Sequence, residues 1–164
     1  MNISPVEYIE RLNELLEKKK ALLADILGIT RAQTEAVTED GMDGLSDLIK
    51  NKQLKIDEIN KLDEEFGIYY QRLKSTLEIS RMDQIDAEKL DGAAQARRLK
   101  ALTAEILDVI RDIAVIEREN SRKSKKLLEK FGNEIKKINQ GKRANNAYKP
   151  GAFGVPSYFV EKKK

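Results

Sequence analysis

Three short segments carry residues whose types could support chemistry. Glu64 and Glu65 are adjacent carboxylates, the groups that general acid and base catalysis uses, but consecutive side chains point in different directions on a helix. Segment 40–44, DGMDG, has two aspartates like a calcium loop, but it lacks the further ligands and the terminal glutamate of such a loop. Segment 141–143, GKR, lacks the spaced glycine of a phosphate-binding loop. We therefore interpret all three segments as structural.

The composition removes several further classes of site. The chain contains no cysteine, which excludes disulfides and thiolate metal sites and suits a reducing cytosol. It also contains no histidine, the commonest metal ligand and the usual base near neutral pH. We therefore predict a protein that is not an enzyme and that has no catalytic, cofactor-binding or metal-binding residues. Binding is the kind of function that remains.

The segment best suited to binding is the C-terminal one, residues 139–164. It has no helical period, yet it holds four of the nine aromatic residues, two of the three prolines and three of the nine glycines. Basic and aromatic residues are interleaved between Lys142 and Phe159, as single-strand nucleic-acid binding requires, but no recognised nucleic-acid motif accompanies them. We interpret this segment as a recognition arm.

The rest of the chain has the composition and periodicity of long amphipathic helices. Hydrophobic residues make up 40% of the chain, charged residues 36% and aromatic residues only 5%, which favours a helical bundle or coiled coil. Apolar residues recur every three or four positions in three stretches, and Ser4, Pro5 and Glu7 form a capping box at the start of the first. The pattern predicts an all-α protein of three long antiparallel helices in an elongated bundle about 50 Å long. These helices are expected at about 5–38, 44–80 and 93–138.

Two interruptions separate the predicted helices. Glycines and aspartates in segment 38–44 predict the turn of a helical hairpin. The period is lost between about Arg81 and Gly92, where we expect an irregular connection or a short broken helix. The sequence thus predicts a helical domain over residues 1–138 and an irregular, basic tail over residues 139–164.

The charge is unevenly distributed along the chain. The net charge is +3, but residues 121–164 contain 13 Lys or Arg and three Glu, which gives +10 and leaves −7 for residues 1–120. Asn120 stands at this boundary, at a position that the apolar spacing assigns to the core. A buried asparagine fixes register and partner choice in a helical bundle, whereas an asparagine at a bundle end faces water. The spacing leaves both alternatives open.

The chain lacks the hydrophobic segments that membrane targeting requires. No apolar run approaches the roughly 20 residues that a membrane-spanning helix needs, and the N-terminus lacks the charged and apolar regions of a signal segment. We therefore expect a soluble, cytoplasmic protein without stable membrane insertion.

The order of these parts resembles the FlgN family of flagellar export chaperones. Residues 44–66, GLSDLIKNKQLKIDEINKLDEEF, are similar to the family's leucine-rich segment, although the more usual glutamate before Lys52 is absent. Residues 119–138, ENSRKSKKLLEKFGNEIKKI, are similar to its asparagine-plus-leucine stretch. The tail, residues 139–164, looks like that of Gram-positive, clostridial-type members and is the most specific part. The resemblance covers nearly the whole chain.

The resemblance implies a cytoplasmic chaperone that binds hook-filament junction proteins, prevents their premature assembly and delivers them to the flagellar type III export apparatus. Its partners would be helices of these clients and components of the export gate and ATPase. The sequence leaves open whether the chain forms a homo-oligomer. The resemblance places substrate binding in the C-terminal half, at Ile113, Ile116, Asn120, Leu127, Leu128, Phe131, Ile135 and Ile138. Four tail aromatics are expected to extend this site or to contact the export gate: Tyr148, Phe153, Tyr158 and Phe159.

The alternative is a coiled-coil protein that binds nucleic acid or a membrane surface through its basic C-terminal tail. Such binding would weaken steeply with salt because phosphate counterions are released. A chaperone contact based on apolar burial would be far less sensitive to salt. We favour the chaperone and expect no nucleic-acid partner.

Overall fold

The computed structural model of the chain describes residues 3–38 and 40–143. Its three α-helices are α1 (Pro5–Ala36), α2 (Met42–Leu77) and α3 (Ala93–Arg143). No β-strand occurs among these described residues, and the predicted all-α class is confirmed. None of the described helices is long and apolar enough to cross a membrane.

The turn between α1 and α2 is tight and requires a glycine. α1 begins as predicted, with Ser4 Oγ accepting a hydrogen bond of 3.3 Å from the backbone N–H of Glu7. The helix ends at Ala36, and a Cβ atom on Gly41 would lie only 2.3 Å from the Ala36 carbonyl oxygen. A side chain at residue 41 would therefore prevent this turn, which makes α1 and α2 a helical hairpin.

The connection from α2 to α3 is irregular, as predicted for residues 81–92. It contains two 3₁₀ turns, Met82–Gln84 and Ala87–Lys89. Gly92 precedes α3 with a φ of +83°, a left-handed conformation that L side chains rarely adopt. A Cβ atom there would lie 2.9 Å from Val6 Cγ1. The connection thus brings the start of α3 against the start of α1.

α2 runs antiparallel to α1. Lys19 Nζ lies 2.8 Å from Asp63 Oδ1, and Lys55 Nζ lies 3.4 Å from Asp25 Oδ2. In these pairs the residue number in α2 decreases as the residue number in α1 increases. Successive helices therefore alternate in direction, as the sequence predicts.

α3 returns in the same direction as α1. Near its start, Lys20 Nζ donates a hydrogen bond of 2.9 Å to Glu105 Oε2, and this hydrogen bond lowers the pKa of the Glu105 carboxyl. Further along, Asn120 Nδ2 donates a hydrogen bond of 3.0 Å to the carbonyl oxygen of Thr30. Residue numbers rise together along the two helices, so the first and third helices are parallel.

α1 is the central helix of the bundle. Close backbone packing joins α1 to α2 and α1 to α3, whereas α2 and α3 make no such approach within the described ranges. The buried core lies along α1, where burying one leucine or isoleucine side chain contributes about 1.5–3 kcal/mol. Its fully buried members on α3 all belong to the first part of that helix: Ala96, Leu99, Leu102 and Ile106.

α3 is longer than the sequence predicts. It continues to Arg143 instead of ending near Ile138, so its 51 residues span about 77 Å, compared with about 69 Å for the 46 residues expected at 93–138. The apolar stripe stops at Ile138, but glutamine, lysine and arginine are good helix formers, so the helix outlasts its stripe. The division between a helical domain and a tail at residue 139 stays a prediction, since residues 144–164 lie outside the described residues.

Candidate partner-binding surface

α3 extends beyond the end of α1. Lys123 Nζ donates a hydrogen bond of 2.5 Å to the carbonyl oxygen of Thr34, two residues before α1 ends at Ala36. From there α3 continues through the 20 residues 124–143, about 30 Å at 1.5 Å per residue. We call residues 124–143 the α3 extension. Its helical surface is longer than the α1 surface available to cover it.

The α3 extension carries an apolar stripe on one face. Its members recur every three or four residues, the spacing of one side of a helix, and they are Leu127, Leu128, Phe131, Ile135 and Ile138. The first four are half-buried and Ile138 is 41% exposed. By contrast, Leu99 and Leu102, on the part of α3 beside α1, are 0% exposed. The stripe therefore keeps apolar surface in contact with water.

Basic side chains border the stripe on both sides. At about 100° per residue, Lys125 and Lys136 lie on one side, and Lys130 and Lys137 on the other. All four are exposed. Residues 121–143 contain nine Lys or Arg and only two Glu. The extension is thus an apolar surface with a mainly cationic border, interrupted by Glu134 on the side of Lys130 and Lys137.

Asn120 lies in the α1–α3 contact, shortly before the extension begins. It is 7% exposed, so the buried alternative is the one that the structure confirms. Its Nδ2 donates to the Thr30 carbonyl, and its Oδ1 accepts from the hydroxyl of Thr34. These bonds link one level of α1 to one level of α3, as expected of a residue that fixes register.

A buried lysine joins all three helices at the same level. Lys52 of α2 is 5% exposed, and its Nζ donates a hydrogen bond of 3.0 Å to Gln33 Oε1 of α1. The same ammonium forms an ion pair with the Glu117 carboxylate of α3. We call Thr30, Gln33, Thr34, Lys52, Glu117 and Asn120 the polar layer. It separates the apolar core from the α3 extension.

A comparison with known families identifies the group of proteins that shares this organisation. Residues 1–152 match the family model described as FlgN protein. The chain belongs to the FlgN family. The match includes α1, α2 and the whole α3 extension. No curated protein and no solved structure matches the chain.

Family membership confirms the resemblance drawn from the sequence. FlgN-family proteins are flagellar export chaperones, so this chain belongs to a class of proteins that serve flagellum biogenesis by binding other proteins. The family is not one of enzymes. The clostridial-type subtype stays a prediction.

The structure separates eight of the twelve predicted partner-binding residues of this FlgN-family chain into three groups. Five of them form the stripe of the α3 extension. Ile113 and Ile116 are half-buried on the part of α3 beside α1, and Ile113 packs against the core. Asn120 is already hydrogen-bonded inside the bundle, so a contact with a partner would require those bonds to break. The other four predicted residues lie outside the described residues: Tyr148, Phe153, Tyr158 and Phe159.

Sequence reasoning missed the polar layer except for Asn120. Lys52 occupies the three- and four-residue spacing between Ile49 and Ile56, a position that belongs to the buried face of α2. A lysine there signals a buried cation that needs an acceptor. Glu117 gives no comparable signal, since its pairing depends on the register between α2 and α3.

An acidic turn at the base of the extension was also missed. Residues 32–49 contain five Asp or Glu and no Lys or Arg. Glu35, Asp40, Asp43 and Asp47 are exposed around the α1–α2 turn. We call these four residues the acidic turn. Because Thr34 contacts Lys123, the acidic turn lies where the basic extension starts.

The hairpin has a separate groove between α1 and α2, with a volume of about 440 Å³. Its lining combines three apolar and three charged residues: Ala21, Leu22, Leu62, Lys18, Glu58 and Lys61. Both signs of charge border this groove, whereas the border of the extension is mainly cationic. It therefore serves as a comparison surface for the binding experiments below.

Proposed function

We propose that this FlgN-family protein is a cytoplasmic chaperone for hook-filament junction proteins. It keeps these subunits from assembling prematurely and delivers them to the flagellar type III export apparatus. Family membership supports the class of function, and the α3 extension supports the site. The single observation that carries the proposal is the apolar stripe that continues past the end of α1.

The chemistry of the clients fits this site. Subunits that polymerise through terminal amphipathic helices must keep the apolar faces of those helices covered until export. An amphipathic helix binds an apolar helical surface through residues spaced by three and four, as the stripe from Leu127 to Ile138 is. Such a contact forms and separates without nucleotide, because it exchanges one apolar contact for another. The chaperone therefore needs no catalytic residue.

Matched leucine substitutions test the site directly. Leu127 lies in the stripe, and Leu54 is an exposed leucine of α2, 60% accessible, outside it. With purified hook-filament junction protein from the same organism, Leu127→Ala should weaken binding by about 1–3 kcal/mol, as truncation of an anchor residue does. Leu54→Ala should leave the dissociation constant unchanged in isothermal titration calorimetry.

The same measurement distinguishes the electrostatic alternative. Nine basic residues between 121 and 143 would also suit nucleic acid or an anionic membrane surface. That alternative predicts binding of duplex DNA or anionic vesicles that disappears between low and physiological salt, with no dependence on Leu127. Failure of the junction protein to bind the chain, together with such salt-sensitive binding of DNA or vesicles, would replace the chaperone proposal.

A further inference from the structure

We propose that the α3 extension binds a single amphipathic helix with acidic flanks, parallel to α3, with its N-terminus at the acidic turn. This inference rests on the proposed function, because it takes the extension to be the site that holds a client helix. It adds the charge, the number and the direction of the bound helix.

The charge of the partner follows from the border of the stripe. Lys125 and Lys136 on one side and Lys137 on the other place exposed cations along both sides of the apolar surface. A helix laid along that surface brings its own flanking residues opposite these lysines. Glutamate or aspartate at the flanks would pair with them, whereas lysine would be repelled. An apolar helix with acidic flanks is therefore the complementary partner.

The same charges disfavour a second copy of this chain. Two α3 extensions packed stripe to stripe would place lysines opposite lysines along both sides of the contact. Like charges at flanking positions of paired helices destabilise the pair. The stripe should thus hold one helix of another protein in a complex with one copy of each chain.

The direction follows from the two ends of the extension. Its base lies beside the acidic turn, and its far part carries Lys136 and Lys137. A helix has a partial positive charge at its N-terminus and a partial negative charge at its C-terminus. Both ends are matched when the bound helix places its N-terminus against the acidic turn and its C-terminus near these two lysines. That arrangement is parallel to α3.

Synthetic peptides test the charge. The probe is an 18-residue peptide with leucines at helical three- and four-residue spacing and glutamates at the flanking positions. A second peptide has glutamine at the flanks, and a third has lysine. The glutamate peptide should bind the full chain about tenfold more tightly than the glutamine peptide at low salt, as expected of several exposed charge pairs. The lysine peptide should bind more weakly than both.

Lysine substitutions locate the source of that preference. Lys125→Gln with Lys137→Gln should remove most of the preference for glutamate flanks. The matched control, Lys18→Gln with Lys61→Gln, removes two exposed lysines from the α1–α2 groove and should leave the preference intact. Loss of the preference only in the control pair would overturn the inference in favour of the groove.

Disulfide exchange tests the direction, since the chain has no cysteine of its own. Lys125→Cys and Lys136→Cys place single thiols on the same side of α3, 11 residues or about 16 Å apart. A glutamate peptide whose N-terminal cysteine carries a glutathione disulfide should exchange mainly with the thiol at residue 125, with release of glutathione, and one with this disulfide at a C-terminal cysteine should exchange mainly with residue 136. The reverse pattern would show an antiparallel helix and overturn the direction.

The remaining outcomes separate this inference from the proposed function. Equal affinity for glutamate and glutamine peptides would overturn the acidic partner, and a complex with two copies of the chain in sedimentation equilibrium would overturn the single helix. If no peptide binds while the junction protein still depends on Leu127, this inference fails and the chaperone proposal stands. If the junction protein binds Leu127→Ala normally, the proposed site itself fails.

Discussion

The two parts of α3 share one pattern but differ in burial. The start of α3, residues 93–106, packs against the core, where Leu99 and Leu102 are 0% exposed, whereas residues 124–143 extend past Ala36 and keep their stripe partly in water. Apolar spacing of three and four continues through both parts. The pattern therefore establishes that a face is apolar. Whether the protein itself covers that face depends on the length of the neighbouring helix.

Removing the extension gives the largest expected effect. Truncation after Ser121 should abolish binding of the junction protein in calorimetry, because it deletes the whole stripe. The hairpin and the first part of α3 should retain most of their helical circular dichroism, since they pack through their own core. Truncation after Arg143, which keeps the extension, should retain binding. Loss of binding in this longer chain would place the site in residues 144–164.

The same leucine-to-alanine substitution should reduce mainly stability in the first part of α3 and mainly client binding in the extension. Leu102→Ala leaves a cavity in the core and should reduce the free energy of unfolding by about 2–5 kcal/mol. Leu127→Ala removes a half-buried side chain and should reduce it by less than about 1 kcal/mol, while weakening client binding as described above. Urea denaturation followed by circular dichroism measures both. Equal losses of stability would mean that the bundle covers the extension after all.

The polar layer should show an intermediate effect, because it joins the two parts. Lys52→Ala removes the ion pair with Glu117, whose side chain is 30% exposed, and should cost about 1–3 kcal/mol of stability. Lys55→Ala is the matched control, since the Lys55 and Asp25 pair is more exposed and should contribute under about 1 kcal/mol. A double substitution of Lys52 and Glu117 to alanine should cost less than the sum of the two single changes.

The pair between Lys20 and Glu105 should give the smallest effect and depend on pH. The Lys20 hydrogen bond lowers the pKa of Glu105 below its ordinary value of 4.5. The contribution of the pair is therefore fully present above pH 4.5 and is lost as the pH falls through the lowered pKa. Glu105→Gln should lower Tm slightly at pH 7 and leave it unchanged near pH 2. The same difference at both pH values would contradict this pairing.

The helices and the stripe could be predicted from the sequence, because both depend on local interactions along the chain. Local spacing determines where Leu127, Phe131 and Ile138 point, because a helix repeats on its own. Glycines at 41 and 92 mark the connections, because a side chain at 41 would meet the Ala36 carbonyl oxygen and Gly92 has a positive φ. These features depend on neighbours within a few residues of one another.

The polar layer and the acidic turn depend instead on distant residues. Lys52 meets Glu117 only once α2 and α3 are both placed on α1, and the two positions are 65 residues apart in the chain. The spacing of Asn120 suits both a core position and a solvent-exposed bundle end, and only its contacts with Thr30 and Thr34 decide between the two. The end of α3 at Arg143 was missed because the prediction followed the apolar stripe, whereas the backbone follows helix propensity.

An extension that begins inside a packed bundle has a consequence for its dynamics. An isolated helix must form its first turn at a large entropic cost, and short helices in water are marginal for that reason. The α3 extension avoids this cost, since the turns before it are already ordered against α1, and it needs only propagation. Backbone amide exchange should therefore become gradually faster from Ser124 toward Arg143, with no abrupt step. A bound helix should slow exchange most toward Arg143, the part of the extension farthest from α1.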